Sequence, residues 1–185
     1  VKLSGVRVRA WQGTPDLTVD RAEQAEILDA IPWDVIDATG HTVDVDFTEL
    51  LDGGSRSGVS SIATVISVAS GSGIILRCPE CKRAMRDGAC NFASCNSQGP
   101  QVGIEDLRLR LILDDGISNG AIILARQCAE AFLGMSMEDV KAACKPDRGE
   151  SFMADLRSKL LGRQYAFTGR AIIDAQGALL MADHF

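Results

Sequence analysis

Four of the chain's six cysteines fall within eighteen residues, in the stretch RCPECKRAMRDGACNFASC from Arg77 to Cys95. Their spacing is C-x2-C-x8-C-x4-C, with Cys78, Cys81, Cys90 and Cys95 as the four thiols. Paired thiolates on two short loops are what a structural, tetrahedral Zn²⁺ takes. Pro79 stiffens the first loop, and Gly88 stands before the second pair, where the chain must turn. Four protein ligands leave no coordination position for a substrate, so the pattern reads as structural rather than catalytic. Spacing alone leaves an iron–sulfur cluster open. A thioredoxin-type redox pair leaves Cys90 and Cys95 unexplained, and no βαβ pattern surrounds it. A disulfide knot requires an oxidising compartment.

The residues between the cysteines admit two uses. Arg77, Lys82, Arg83 and Arg86 stand against Glu80 and Asp87. The positive surplus either contacts phosphate or neutralises a four-thiolate zinc site, which is itself anionic. Phe92 either covers the metal or stacks on a base. Cys128 and Cys144 lie in apolar helical stretches and are expected to be small buried hydrophobes. His41 and His184 are isolated, and no Ser/His/Asp spacing supports a nucleophilic site. The Gly71-Ser72-Gly73 run is too short a signal for a phosphate loop. The expectation is that the protein is not an enzyme.

The elements that must position these groups are mostly strands. GVSSIATVISVAS is a long β-rich run, and GIILR leads from a glycine bend straight into Cys78. After the cysteines, EDLRLRLILDDGISNGAIILA reads as a hairpin, with Leu107, Leu109, Leu111 and Leu113 alternating with Arg108, Arg110 and Ile112. Helical segments follow: ARQCAEAFLGMSMEDVKAACK, broken at Gly134 with Ser136 as an N-cap, and ESFMADLRSKLLG, closed by Gly162. RQYAFTGRAIIDAQGALLMADHF is a final hairpin around DAQG. Five strands with helix between the third and fourth is the pattern of an OB-fold barrel. Upstream, GVRVRAWQGTPDLTV reads as a separate hairpin turning at QGTPD. RAEQAEILDA reads as continuing strand, and FTELLDGG as a short helix stopped by Gly53 and Gly54.

Charge is unevenly placed. The chain of 185 residues has a net charge of −6, but residues 1–13 carry Lys2, Arg7 and Arg9 and no acid. Residues 14–56 hold eleven acids against Arg21 and Arg56, and residues 57–185 balance. The acidity therefore belongs to one segment, a solvated linker with its flanks, and does not exclude a nucleic-acid partner for the rest. No apolar run reaches the ~18 residues of a membrane span. A first residue of Val, not Met, leads us to expect a fragment or a processed product.

The motifs IILRCPECKRAMRDGAC, LRLRLILDDG, KLLGRQYAFTGRA and ADHF stand in that order. Together they resemble the C-terminal, zinc-bearing OB domain of archaeal replication protein A, the single-stranded-DNA-binding protein. GVRVRAWQGTPDLTVD is similar to the last strands of that family's preceding OB domain. The resemblance implies residues 1–30 as the end of an upstream OB domain, 31–56 as acidic linker and short helix, and 57–185 as an OB fold with its zinc knuckle at 78–95. It implies single-stranded DNA binding in replication, repair and recombination, a structural zinc, partner replication proteins or subunits, and a cytoplasmic, nucleoid-associated location. Arg108 and Arg110 then face the binding groove, and Lys82, Arg83, Arg86 and Phe92 stand on the knuckle that walls it. Trp11, beside Arg9, lies in the upstream loop as a stacking candidate. Aromatic residues make up only 5% of the chain, which argues against heavy base stacking. The alternative expectation is a zinc-stabilised assembly module with little DNA binding of its own.

Overall fold

The structure, a computed structural model, describes residues 1–11, 14–30, 42–97, 99–174 and 177–185. The chain is mainly β, with four α-helices among the described residues. At the N-terminus, β1 (Lys2–Leu3) pairs with β4 (Ala25–Glu26), and β2 (Arg7–Trp11) pairs with β3 (Thr14–Thr18). The centre of the predicted QGTPD turn, residues 12–13, lies outside the described residues. RAEQAEILDA differs from the expected strand: Ala22–Gln24 form a 3-10 turn and only Ala25–Glu26 are extended. The Gln24 side chain explains this, because it accepts from the backbone N–H groups of Asp20 and Arg21 and closes the turn. Residues 1–9 and 16–30 are all exposed or half-buried.

Beyond residue 41 the chain builds one core. β5 (Val43–Asp44) runs parallel to β6 (Arg56–Val68), and α1 (Phe47–Gly53) lies between them in sequence. Asp46 caps α1 by accepting from Glu49 N–H, and the Glu49 side chain accepts from Asp46 N–H in return. Phe47 and Leu50 are fully buried. After β7 (Gly73–Arg77) come two short strands, β8 (Ala89–Cys90) and β9 (Gly99–Pro100), and then β10 (Ile104–Asp114) and β11 (Asn119–Leu124). α2 (Arg126–Leu133), α3 (Met137–Cys144) and α4 (Glu150–Leu160) precede β12 (Gln164–Asp174) and β13 (Gly177–His184).

The large sheet has the order β5-β6-β12-β13-β11-β10-β7, with a further β6–β10 pairing that partly closes it into a ring. β6 reaches both neighbours because it bends. Its first half pairs with β12 and its end pairs with β10, and Gly58 and Ile66 are passed over as bulges. β11 and β13 run parallel; the other pairs around the ring are antiparallel. Gly169 is required on β12, since a Cβ there would lie 2.0 Å from the backbone oxygen of Met181 on β13.

The predicted alternation on β10 is met: Leu107, Leu109, Leu111 and Leu113 have no exposure, while Arg108 and Arg110 are half-exposed. Each buried leucine contributes roughly 1.5–3 kcal/mol of burial. Cys128 and Ala129 of α2, Met137 and Val140 of α3, and Phe152, Leu156 and Leu160 of α4 pack into the same core. Phe167 is fully buried, and Tyr165, Phe132 and Phe185 gather around it as an aromatic cluster. Ser136 caps α3 as the sequence indicates. Lys141 of α3 forms an ion pair with Glu105 of β10 at 2.6 Å, tying the helices to the β7–β10 ribbon. No helix among the described residues is long and apolar enough to cross a membrane.

Candidate metal centre and nucleic-acid interface

Cys78 follows directly on the last residue of β7, so the sheet fixes where the first thiol stands. The chain then folds back tightly: Lys82 N–H donates to the Cys78 carbonyl at 3.0 Å, and Cys78 N–H donates to the Arg83 carbonyl at 2.9 Å. Lys82 takes a left-handed backbone, φ 60°, to make this turn. The second thiol pair comes from β8 and from the loop after it, where Cys95 N–H donates to the Phe92 carbonyl at 2.9 Å. Met85 N–H, bonded to the Leu76 carbonyl at 2.7 Å, holds the whole excursion against β7.

All four sulfurs lie within 4.8 Å of one another. Cys78 and Cys95 stand 3.7 Å apart, as do Cys81 and Cys90. A tetrahedral ion with metal–sulfur bonds of about 2.3 Å needs sulfurs about 3.8 Å apart. A disulfide needs about 2.05 Å, and all six cysteines are free thiols. A cluster of several irons would hold the sulfurs farther apart than one tetrahedral ion does. The donor set and spacing thus fit a single tetrahedral metal such as zinc.

The thiols do not ionise alike. The Cys81 backbone N–H brings the Cys78 thiol down to about 6 against the cost of burial, with help from the Glu80 N–H and the thiols of Cys81 and Cys95. Gln101 Nε2 also donates to the Cys78 sulfur at 3.4 Å. At Cys95 the Ser97 N–H favours the thiolate, but burial and the other three sulfurs outweigh it and push the thiol up to about 12. Cys90 is likewise raised: burial and the neighbouring Cys81 and Cys78 overcome a favourable Phe92 N–H. One thiolate forms readily, and the charge it brings holds others protonated. A cation is what would let the set deprotonate together. The Glu80 carboxylate, held low in pKa by Ser97 Oγ and Asn96 Nδ2, ties the first loop to the residues after Cys95.

Beside this knuckle lies an open groove of about 860 Å³. Arg108 and Arg110 of β10 form its floor with Ala121 and Ile123 of β11. Gly177, Ala178 and Leu179 at the start of β13 close one side, and Ile74, Ile75 and Leu76 of β7 with Ala84–Gly88 of the knuckle close the other. Among the described lining residues, Arg86 is the third guanidinium and Asp87 the one carboxylate. Among the described residues none of these three arginines forms an ion pair, whereas Arg77 is paired with Asp106. Burial, then the neighbouring charges of Arg77 and Arg110, lowers the pKa of Arg108. Arg108 is held in place by Nε donating to the Gly71 carbonyl at 3.1 Å, and a Cβ at residue 71 would come within 2.6 Å of its guanidinium.

The structure therefore brings Arg108, Arg110 and Arg86 together in one groove. Arg83 and Phe92 stand elsewhere on the knuckle, around a smaller hollow of about 210 Å³ that Ala84 and Arg86 share with the groove. The Arg83 guanidinium carbon lies 3.5 Å over the Phe92 ring, and Phe92 packs against the thiol cluster. Lys82 Nζ bonds to the Pro79 carbonyl. Arg9 is exposed on β2, opposite Asp16 in the hairpin register. The Trp11 side chain lies outside the described residues, as do Trp33 and His41. Sequence reasoning missed the aliphatic lining of Ile75, Ile123 and Leu179. The outward positions of β11 alternate clearly enough to have shown Ile123, but nothing local marks Leu179 as a groove residue. It also missed Gln101, which follows the cysteine-rich stretch and shows no ligand pattern.

No family model matches the chain, and no curated protein matches it. A solved structure of a replication protein A heterotrimer bound to ssDNA is a distant likeness, with 14% identity and a TM-score of 0.46. The match covers 68% of this chain and 30% of that one.

Proposed function

We propose that residues 57–185 form a five-stranded OB-fold barrel that binds single-stranded DNA, without catalysis, and that carries a structural Zn²⁺ on Cys78, Cys81, Cys90 and Cys95. The observation that carries this reading is the groove. It crosses two neighbouring strands, runs between the knuckle and the β12–β13 end, and presents Arg86, Arg108 and Arg110 with no carboxylate paired to them among the described residues. Single-strand binding needs a cationic path for phosphates and flat or apolar surface for bases. Ile75, Ile123 and Leu179 supply the second, without an aromatic platform on the described floor. The ordered motifs that resemble archaeal replication protein A support the same reading, and with it a role in replication, repair and recombination in the cytoplasm. Fluorescence titration with a labelled oligonucleotide tests it: saturable binding that weakens with salt is expected. Flat titration curves at low salt would end the proposal. Elemental analysis is expected to give one zinc per chain.

A second reading has its own observation. Val8 and Leu17 face each other across the β2–β3 pair at 68% and 54% exposure. A two-stranded hairpin with an exposed apolar pair is not stable by itself. In this reading residues 1–30 complete an upstream domain and the whole acts as an assembly module for partner subunits. Of the segment 31–56 expected as linker and short helix, Val43–Asp44 pair with β6 and Phe47 and Leu50 of α1 are buried in the core, so that part belongs to the domain.

A further inference from the structure

We propose that Arg83, backed by Phe92, is a base-stacking subsite for the nucleotide that leaves the groove past Arg86. The inference rests on the groove being the path of a single strand.

The floor of the groove offers a strand aliphatic side chains and guanidiniums, but none of its described lining residues is aromatic. Phe92 lines a hollow that adjoins the groove, with Ala84 and Arg86 lining both. The segment that joins them is fixed on β7 through the Arg77–Ala84 bridge and the bond from Met85 N–H to the Leu76 carbonyl. A chain passing Arg86 thus meets Arg83 and Phe92 next.

Phe92 is not itself free to receive a base. It is half-buried against the thiol cluster, and the Arg83 guanidinium sits over its ring at 3.5 Å. That distance is van der Waals contact and a cation–π arrangement. Arg83 is exposed and forms no ion pair among the described residues. Its flat, weakly hydrated cation is therefore held by the ring beneath it while remaining open to solvent, and guanidinium planes accept bases as aromatic rings do. The order is ring, guanidinium, base. The metal knuckle fixes the ring, the ring fixes the guanidinium, and Arg86 takes the intervening phosphate.

The test uses Arg83→Lys, which keeps the charge and removes the plane, with two ligands of equal length: an ordinary oligonucleotide and one whose sugars carry no bases. Stacking predicts at least about a fivefold loss of affinity for the ordinary strand and no change for the abasic strand. Phe92→Leu keeps an apolar cover over the thiols and removes the ring; the same base-dependent loss is expected, with zinc content unchanged in both variants. Wild-type affinity of Arg83→Lys for the ordinary strand overturns the proposal. Equal losses on both strands also overturn it, because they assign Arg83 to phosphate. Absence of binding by the wild-type protein would instead remove the groove reading on which the proposal rests.

Discussion

Replacing Arg108 and Arg110 by alanine tests the groove through its salt dependence rather than through affinity alone. Each phosphate neutralised on a single strand contributes about −0.7 to the slope of log K against log salt. Among the described residues three guanidiniums without an ion pair line the groove, Arg86, Arg108 and Arg110, so the wild-type slope should be about −2. Between 50 and 200 mM salt that is a loss of about 18-fold in affinity. The double variant retains Arg86 alone; its slope should fall to about −0.7 and its loss over the same range to about 2.6-fold. Both side chains project from β10 away from the buried leucines, so the fold should survive, and an unchanged thermal midpoint would show that it does. Fluorescence anisotropy with a dye-labelled oligo-dT at four salt concentrations gives the slope directly. A double variant whose slope remains near −2 refutes the assignment, however much its affinity has dropped.

Other expectations concern the metal and the frame. Cys90 is raised in pKa and Cys95 stands at about 12, so both are protonated at pH 7 and must lose their protons when zinc binds. Apparent zinc affinity should therefore rise by at least about 100-fold per pH unit between pH 7 and 8, and below about 6 Cys78 adds a further proton; competition against a chelating dye at each pH measures this. Gly169→Ala places a methyl group against the Met181 carbonyl and should cost about 2 kcal/mol or more in chemical denaturation. Asp115 accepts from Phe47 N–H at 2.6 Å and from Ile117 and Ser118 N–H groups. Burial opposes its ionisation, but those three donors outweigh it and lower its pKa. Asp115→Ala should cost about 1.5–3 kcal/mol. The wild-type contribution should be present above the ordinary carboxylate range and be lost as pH falls through the lowered pKa, which urea melts at several pH values would follow.

The strands around the core were legible because their chemistry is local. Leu107 to Leu113 alternate with polar residues over a whole strand, and Ser136 with Asp139 spells a helix start in four residues. The thiol cluster was legible for a different reason, since four soft ligands at short spacing have few structural uses. What could not be read is what depends on distant pairing. Leu179 enters the groove only because β13 lies beside β11, and Gln101 reaches Cys78 only because β9 returns beside β8. Phe92 could be read as cover or as platform from the sequence. The position of Arg83 over it makes both descriptions partial, and that contact depends on the knuckle's fold. The 3-10 turn at Ala22–Gln24 was missed because one glutamine side chain outweighed a weak strand pattern.

The bent β6 has a consequence for how the molecule forms. Its two pairings join residues very far apart along the chain, Ala63 with Tyr165 and Val65 with Leu113. Such closures are slow, because a long stretch must be ordered before any contact rewards it. The thiol cluster lies inside one of the shorter excursions, between Arg77 and its register partner Ile104. A metal clasp from Cys78 to Cys95 shortens the effective loop between those strands and forms locally. Zinc should then speed assembly of the β7–β10 ribbon more than it slows its loss. Stopped-flow refolding with and without zinc would register this as a faster early phase and an unaltered late one, with final ring closure setting the overall rate.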